Sequence, residues 1–203
     1  MSHDSGKNDS LIKIALNLTT ACLISSVILS GVYFITAPYA AANDTKRKEK
    51  AMQAVIEDVP NKEFALKLSP NDWGIIPIEN KPGWYKATMK ADGKVIAYIV
   101  PAASKGYSSV VSMIIAVSPE GKLLNFKVVS QAETPGLGDK FYEPKFYQQF
   151  PGKKPEDLVV VKEPTDKNIQ AMTGATITTR AIAKGIREAA EEVIVYMKET
   201  QNK

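Results

Sequence analysis

The sequence predicts an α+β fold in which an antiparallel or mixed sheet is flanked by helices, with one N-terminal transmembrane helix ahead of it. Three observations carry that prediction. Residues 14–37 hold no charge and are dominated by Leu, Ile, Val, Ala and Phe; residues 84–130 show two strand–turn–strand patterns; and apolar residues recur at helical spacing from 178 to 197.

The chain reads as an N-terminal tail at 1–13, a transmembrane helix at 14–38, a connecting helix at 39–60 and a domain at 61–203. The apolar run has the length that a helix needs to cross a bilayer. Its small polar members Asn17, Thr19, Thr20, Ser25, Ser26 and Ser30 suit bonding to helix carbonyls or to a neighbouring helix. Ala40-Ala41-Ala42 offers the small residues of a signal-peptidase site, but the run exceeds the roughly 7–15 residues of a secretory h-region, so a retained anchor is expected. Lys46-Arg47-Lys48-Glu49-Lys50 then leads into Ala51, Met52, Val55, Ile56 and Val59, an i, i+3/i+4 pattern ended by Pro60. Taken literally, the positive-inside rule puts the domain in the cytoplasm. The same cluster also reads as the solvated face of a helix, or as a face touching anionic lipid headgroups.

Beyond Pro60, strands dominate. Residues 84–90 and 94–100 flank Ala91-Asp92-Gly93 as a hairpin. Residues 110–117 and 123–130 flank the turn Ser118-Pro119-Glu120-Gly121 as a second, and Val159-Val160-Val161 reads as a further short strand. In the last segment Ile182, Ile186, Ala189, Ala190, Val193 and Met197 make the apolar stripe of a helix.

Composition excludes several chemistries. The chain has 203 residues, a net charge of +4, one cysteine (Cys22) and one histidine (His3). A Cys/His zinc site, a thiolate iron–sulfur cluster, an intrachain disulfide and a Cys–His dyad cannot be built from these alone, so no metal site is expected and a redox role needs an organic cofactor. The basic residues are dispersed apart from the cluster at 46–50, and no nucleic-acid footprint is expected. No catalytic nucleophile–base pair stands out.

Three short segments carry the remaining chemistry. Thr173-Gly174-Ala175-Thr176, followed by Ile177, Thr178 and Thr179, places hydroxyls where a helix begins; they suit either capping or a phosphate at the positive helix end. Glu133-Thr134-Pro135-Gly136-Leu137-Gly138 specifies a tight turn after a strand and leaves backbone open for a flat ligand. Lys105-Gly106-Tyr107-Ser108 is a loop tip, or a glycine turn that presents Tyr107 to a ring.

In this order the segments resemble the FMN-binding domain of the G subunit of the Rnf complex, and of the related C subunit of the sodium-pumping NADH:quinone reductase. The resemblance covers most of the chain, from the membrane helix to the Thr-Gly-Ala-Thr motif before the last helix. It implies FMN joined covalently through its phosphate to a threonine hydroxyl by a flavin transferase, and the matching position is Thr176. Thr173, Gly174, Ala175, Thr178 and Thr179 then surround the phosphate, with the threonines supplying phosphate or backbone hydrogen bonds. The flavin-proximal turn falls on Glu133, Thr134, Gly136, Leu137 and Gly138. Leu137 and Tyr107 are expected to pack on the ring, and Glu133 to orient the turn or to accept a bond from the ring or ribityl chain. Members commonly carry aspartate three residues before the motif, where this chain has Gln170.

The resemblance further implies an electron-transfer subunit of a membrane-bound, ion-translocating ferredoxin:NAD oxidoreductase, without independent catalysis. Its expected partners are the other Rnf membrane subunits, the flavin transferase and membrane lipids, with the soluble domain on the outer, periplasmic face of the cytoplasmic membrane. The alternative is a membrane-anchored scaffold or ligand-binding module of the same fold without covalent flavin.

Overall fold

The computed structural model describes residues 5–59 and 72–201. Pro60 and His3 lie outside the described residues. The chain forms two units, residues 1–46 and residues 47–203.

Helix α1 spans Ser5–Glu57, with Pro38 inside it. The sequence reading places segment boundaries after residues 13 and 38, and α1 runs unbroken through both positions. Ala37, Ala40, Ala41 and Ala42 surround Pro38, and alanine's high helix propensity favours continuation there over a break. In the first unit the apolar side chains are exposed, Leu16, Leu29 and Phe34 among them, and the helix is long and apolar enough to cross a membrane. The hydroxyls of Thr19, Thr20, Ser25 and Ser26 donate to carbonyls four residues back, so the helix satisfies these polar groups by itself.

The second unit is built on a five-stranded sheet with strand order following the chain: β1 (Trp73–Pro77), β2 (Tyr85–Met89), β3 (Val95–Lys105), β4 (Val110–Val117) and β5 (Leu123–Ser130). Every pairing in it is antiparallel. A separate parallel pair joins β6 (Val160–Val161) to β7 (Ile169–Gln170). Pro101 sits within β3 beyond the Tyr85–Ile99 pairing at which β2 begins, so no ladder partner on that side needs the missing N–H.

The period of two along β4 explains the layering. Val111, Met113, Ile115 and Val117 face one core, while Ile114 and Ala116 face another. On the first face lies helix α3 (Thr176–Gln201), which buries Ile182, Ile186, Ala189, Ala190, Val193 and Met197, the stripe that the sequence predicts. On the second lies the C-terminal end of α1, where Val55 and Ile56 pack with Trp73, Ala87, Ala97 and Ile99. Asn125 and Lys127 of β5 fasten this end: the Asn125 amide donates to the Asp58 carbonyl at 3.1 Å, and Lys127 pairs with the Asp58 carboxylate at 2.8 Å.

After β5 the chain turns through a 3-10 helix at Lys140–Tyr142, the short helix α2 (Pro144–Tyr147) and a 3-10 helix at Pro155–Asp157. These bring Phe141, Phe146 and Phe150 into the α3-side core. Strand β7 then delivers the chain to Ala171, Met172 and Thr173, directly before α3.

Candidate cofactor site

Glu133 is the centre of the site. It is 5% exposed, and its carboxylate accepts five hydrogen bonds. Oε1 takes the backbone N–H groups of Ser108 and Ser109, both at 3.0 Å, and the Ser109 hydroxyl at 3.3 Å. Oε2 takes the Tyr107 N–H at 3.1 Å and the Thr178 hydroxyl at 2.5 Å. One side chain thereby clasps the β3–β4 loop, its own turn and the first turn of α3.

Burial alone pushes the Glu133 carboxyl up, but the Thr178 hydroxyl and the N–H groups of Ser109, Tyr107 and Ser108 outweigh it and hold the group below the ordinary carboxylate range. The carboxylate thus holds the turn against the β3–β4 loop and the start of α3, with five protein donors around it.

Two glycines make the clasp fit. A Cβ on Gly138 would lie 2.8 Å from Glu133 Cβ and 3.1 Å from Thr178 Oγ1, and one on Gly106 would lie 2.6 Å from Glu133 Oε1. The turn itself closes by N–H donation from Leu137 and Gly138 to the Thr134 carbonyl, at 3.2 and 3.0 Å. Gly136 adopts the left-handed φ of +75° at its tip. Leu137 reaches across to the second motif, its Cδ2 lying 3.0 Å from where a Gly174 Cβ would stand. Gly174 itself has φ +78°.

The threonines divide into two kinds. Thr178 and Thr179 are buried; Thr178 donates to Glu133, while Thr179 Oγ1 donates to the Ala175 carbonyl at 3.0 Å and accepts the Met172 N–H at 3.1 Å. These two therefore lock the helix start, each hydroxyl donating within the fold. Thr173 is exposed and Thr176 half-buried, and neither hydroxyl bonds to another side chain among the described residues. Thr176 is the first residue of α3, where the helix dipole favours a negative group. Ala175 is buried beneath the turn.

These residues fit an FMN. An FMN placed here would meet a Thr176 hydroxyl with no partner among the described residues, and the side chains of Tyr107 and Leu137, which leave 69% and 43% of their surface open on the two segments that Glu133 ties together, would be within the reach of a flat ring. Beside Thr173 lies a cleft of about 140 Å³ lined by Lys140, Lys145, Gln149, Gln170 and Met172. The Gln170 N–H donates to Gln149 Oε1 at 2.6 Å. Sequence reasoning missed Ser109, whose hydroxyl and N–H both serve the clasp and whose hydroxyl also accepts the Ala132 N–H at 2.7 Å; the only local signal was a hydroxyl pair, Ser108-Ser109, at a glycine turn. It also missed Lys140, which follows the Gly138 turn closely and lines the cleft. Among the described residues, no group of His, Cys, Asp and Glu is arranged to hold a metal ion.

The family model described as the FMN-binding domain matches residues 106–191, a stretch that contains every site residue named above. The chain as a whole belongs to the family of the Rnf complex's G subunit. It is 41% identical over 197 residues, 97% of this chain and 98% of the relative, to the G subunit of the proton-translocating ferredoxin:NAD(+) oxidoreductase complex of Clostridium ljungdahlii. The G subunit of the Na(+)-translocating ferredoxin:NAD(+) oxidoreductase complex of Acetobacterium woodii is 37% identical over 102 residues, 48% of this chain and 49% of the relative. Among solved structures, the C subunit of the Na(+)-translocating NADH-quinone reductase of Parabacteroides distasonis superimposes with a TM-score of 0.55 at 17% identity, over 78% of this chain and 96% of that one. That last likeness concerns the fold alone.

Proposed function

We propose that this chain is the electron-transfer subunit of a membrane-bound, ion-translocating ferredoxin:NAD oxidoreductase complex, and that it carries FMN esterified through its phosphate to Thr176. The division of the threonines carries the reading: Thr178 and Thr179 spend their hydroxyls inside the fold, whereas Thr176 stands at the start of α3 with its hydroxyl uncommitted among the described residues. FMN supplies the electron chemistry, and the chain supplies placement and electrostatics. Glu133 sets the spacing between the loop of Tyr107, the turn of Leu137 and the first turn of α3, and the helix end favours the phosphate charge. Thr173, exposed at the rim of the turn, is the second hydroxyl within reach of that phosphate.

Helix α1 anchors the chain in the cytoplasmic membrane beside the other Rnf subunits, the FMN-binding unit works on the outer, periplasmic face, and a flavin transferase matures it. To test the attachment, the full-length chain is co-produced with a flavin transferase and run on a denaturing gel under ultraviolet light. The wild type and Thr173→Ala are expected to fluoresce and Thr176→Ala to stay dark; a fluorescent Thr176→Ala overturns the assignment. Gln170 favours a second reading, since it stands where the family commonly has aspartate. In that reading the chain is an anchored scaffold without covalent flavin, and a dark wild-type band establishes it.

A further inference from the structure

Helix α3 carries Arg180, Lys184 and Arg187 ahead of its first carboxylate, Glu188, and its first turn holds no acid. That order opposes the helix dipole, which favours anions at the N-terminal end and cations at the other. Together with Leu158, Val159 and Val160, the three cations line a cleft of about 230 Å³. Like charges beside apolar walls concentrate their field, so this flank of the helix attracts an anion.

Two of the cations have partners. Lys184 stands 3.8 Å from Glu188, and Arg187 stands 3.9 Å from Glu191. Arg180 is exposed and has no ion pair among the described residues. Its neighbours one turn away on α3, Thr176, Ile177, Ala183 and Lys184, include no acid.

The register of α3 sets what Arg180 can reach. It comes four residues after Thr176 in the same helix, one turn along and about 40° round, so the two Cβ atoms are about 5–6 Å apart. Helical side chains lean toward the N-terminus and cover the turn before their own. For Arg180 that turn is the one holding Thr176. A guanidinium presents a planar fork of N–H donors, which matches two oxygens of one phosphate.

We propose that the Arg180 guanidinium pairs with the phosphodiester of the flavin held at Thr176, making Arg180 a phosphate-binding residue. The inference rests on the Thr176 attachment. Its consequence is a cation that stands uncompensated in the unmodified protein and is matched in the modified one.

The test uses full-length protein in detergent, co-produced with a flavin transferase, as wild type, Arg180→Gln, Arg180→Lys and Arg187→Gln. Arg187→Gln removes the same charge from the same face, about 10 Å further along the axis. Arg180→Gln is expected to shift the phosphorus NMR resonance of the tethered phosphodiester and to lower the flavin's fluorescence anisotropy, reporting a freer tether. Arg187→Gln is expected to match the wild type in both, and Arg180→Lys, which keeps the charge without the fork, to keep most of the anisotropy while its resonance moves. A resonance and an anisotropy unchanged in Arg180→Gln overturn the proposal, and so does an equal effect of Arg187→Gln, which reports a diffuse field rather than a pairing. If Arg180→Gln takes no flavin, Arg180→Lys decides: a shifted resonance supports the pairing and an unshifted one overturns it. Peptide mass separates the two readings, since flavin on another residue sinks both, whereas flavin on Thr176 with a resonance indifferent to Arg180 sinks this one only.

Discussion

Replacing Glu133 by glutamine keeps the side chain's shape and removes its charge. With the amide oxygen at the Oε1 position, the bonds from Ser108 and Ser109 survive, but the amide NH2 then faces the Tyr107 N–H, donor against donor. The Thr178 hydroxyl can rotate to accept instead. One N–H left unsatisfied costs about 1–3 kcal/mol, and bonds to a charged acceptor are worth roughly twice neutral ones, while relief of the buried charge offsets part of the loss. The net expectation is a destabilisation of about 2–3 kcal/mol, a fall of about 5–10 °C in unfolding temperature for a unit of this size. Trp73 and Trp84, 7% and 8% exposed, report unfolding by fluorescence in a urea titration of the full-length protein in detergent. A second signature is the pH profile. The carboxyl is held below its ordinary value, so its contribution is fully present above the unfolded pKa of about 4.3 and is lost as pH falls through the lower folded pKa. The wild type should therefore lose stability on acidification below that point more steeply than Glu133→Gln. A glutamine variant within about 0.5 kcal/mol of the wild type, with the same acid slope, would refute the clasp.

Gly138→Ala places a methyl group 2.8 Å from Glu133 Cβ and is expected to cost about 1–3 kcal/mol through overpacking, read in the same urea titration; a neutral result would mean that the turn yields without penalty. Thr179→Val keeps the volume but strands the Met172 N–H inside the fold, for an expected loss of about 1–3 kcal/mol. Hydrogen exchange at the Met172 amide should accelerate in that variant relative to the wild type, and an unchanged rate would contradict the role given to Thr179.

Much of the fold is legible in the chain because local signals agree with the tertiary outcome there. Strands β4 and β5 fall at the expected residues, since Pro119 and Gly121 punctuate the turn between two apolar runs, and the stripe on α3 repeats at 3.6 residues against one sheet face. Strand β3 runs past Pro101 to Lys105, further than propensity allows, because the β2–β3 ladder stops at Ile99 and frees proline from a ladder bond. Strand β1 went unread: five residues with a glycine and a proline, Trp73-Gly74-Ile75-Ile76-Pro77, form an edge strand through pairing with β2 alone. Phe141, Phe146 and Phe150 enter the core from turns too short to show a period. In the site, the motif segments were visible but their division of labour was not. The partners of Glu133 lie 24 to 26 residues before it and 45 after, and no local pattern distinguishes Thr178, which turns inward to that carboxylate, from Thr176, which does not.

The central claim is that Thr176 bears the flavin, and mass spectrometry of peptides from the chain purified out of its own membrane tests it most directly. The account predicts one FMN phosphoester on the peptide containing Thr173-Gly174-Ala175-Thr176, with fragmentation placing it on Thr176. An unmodified peptide, or an FMN on Thr173 or any other residue, would contradict it.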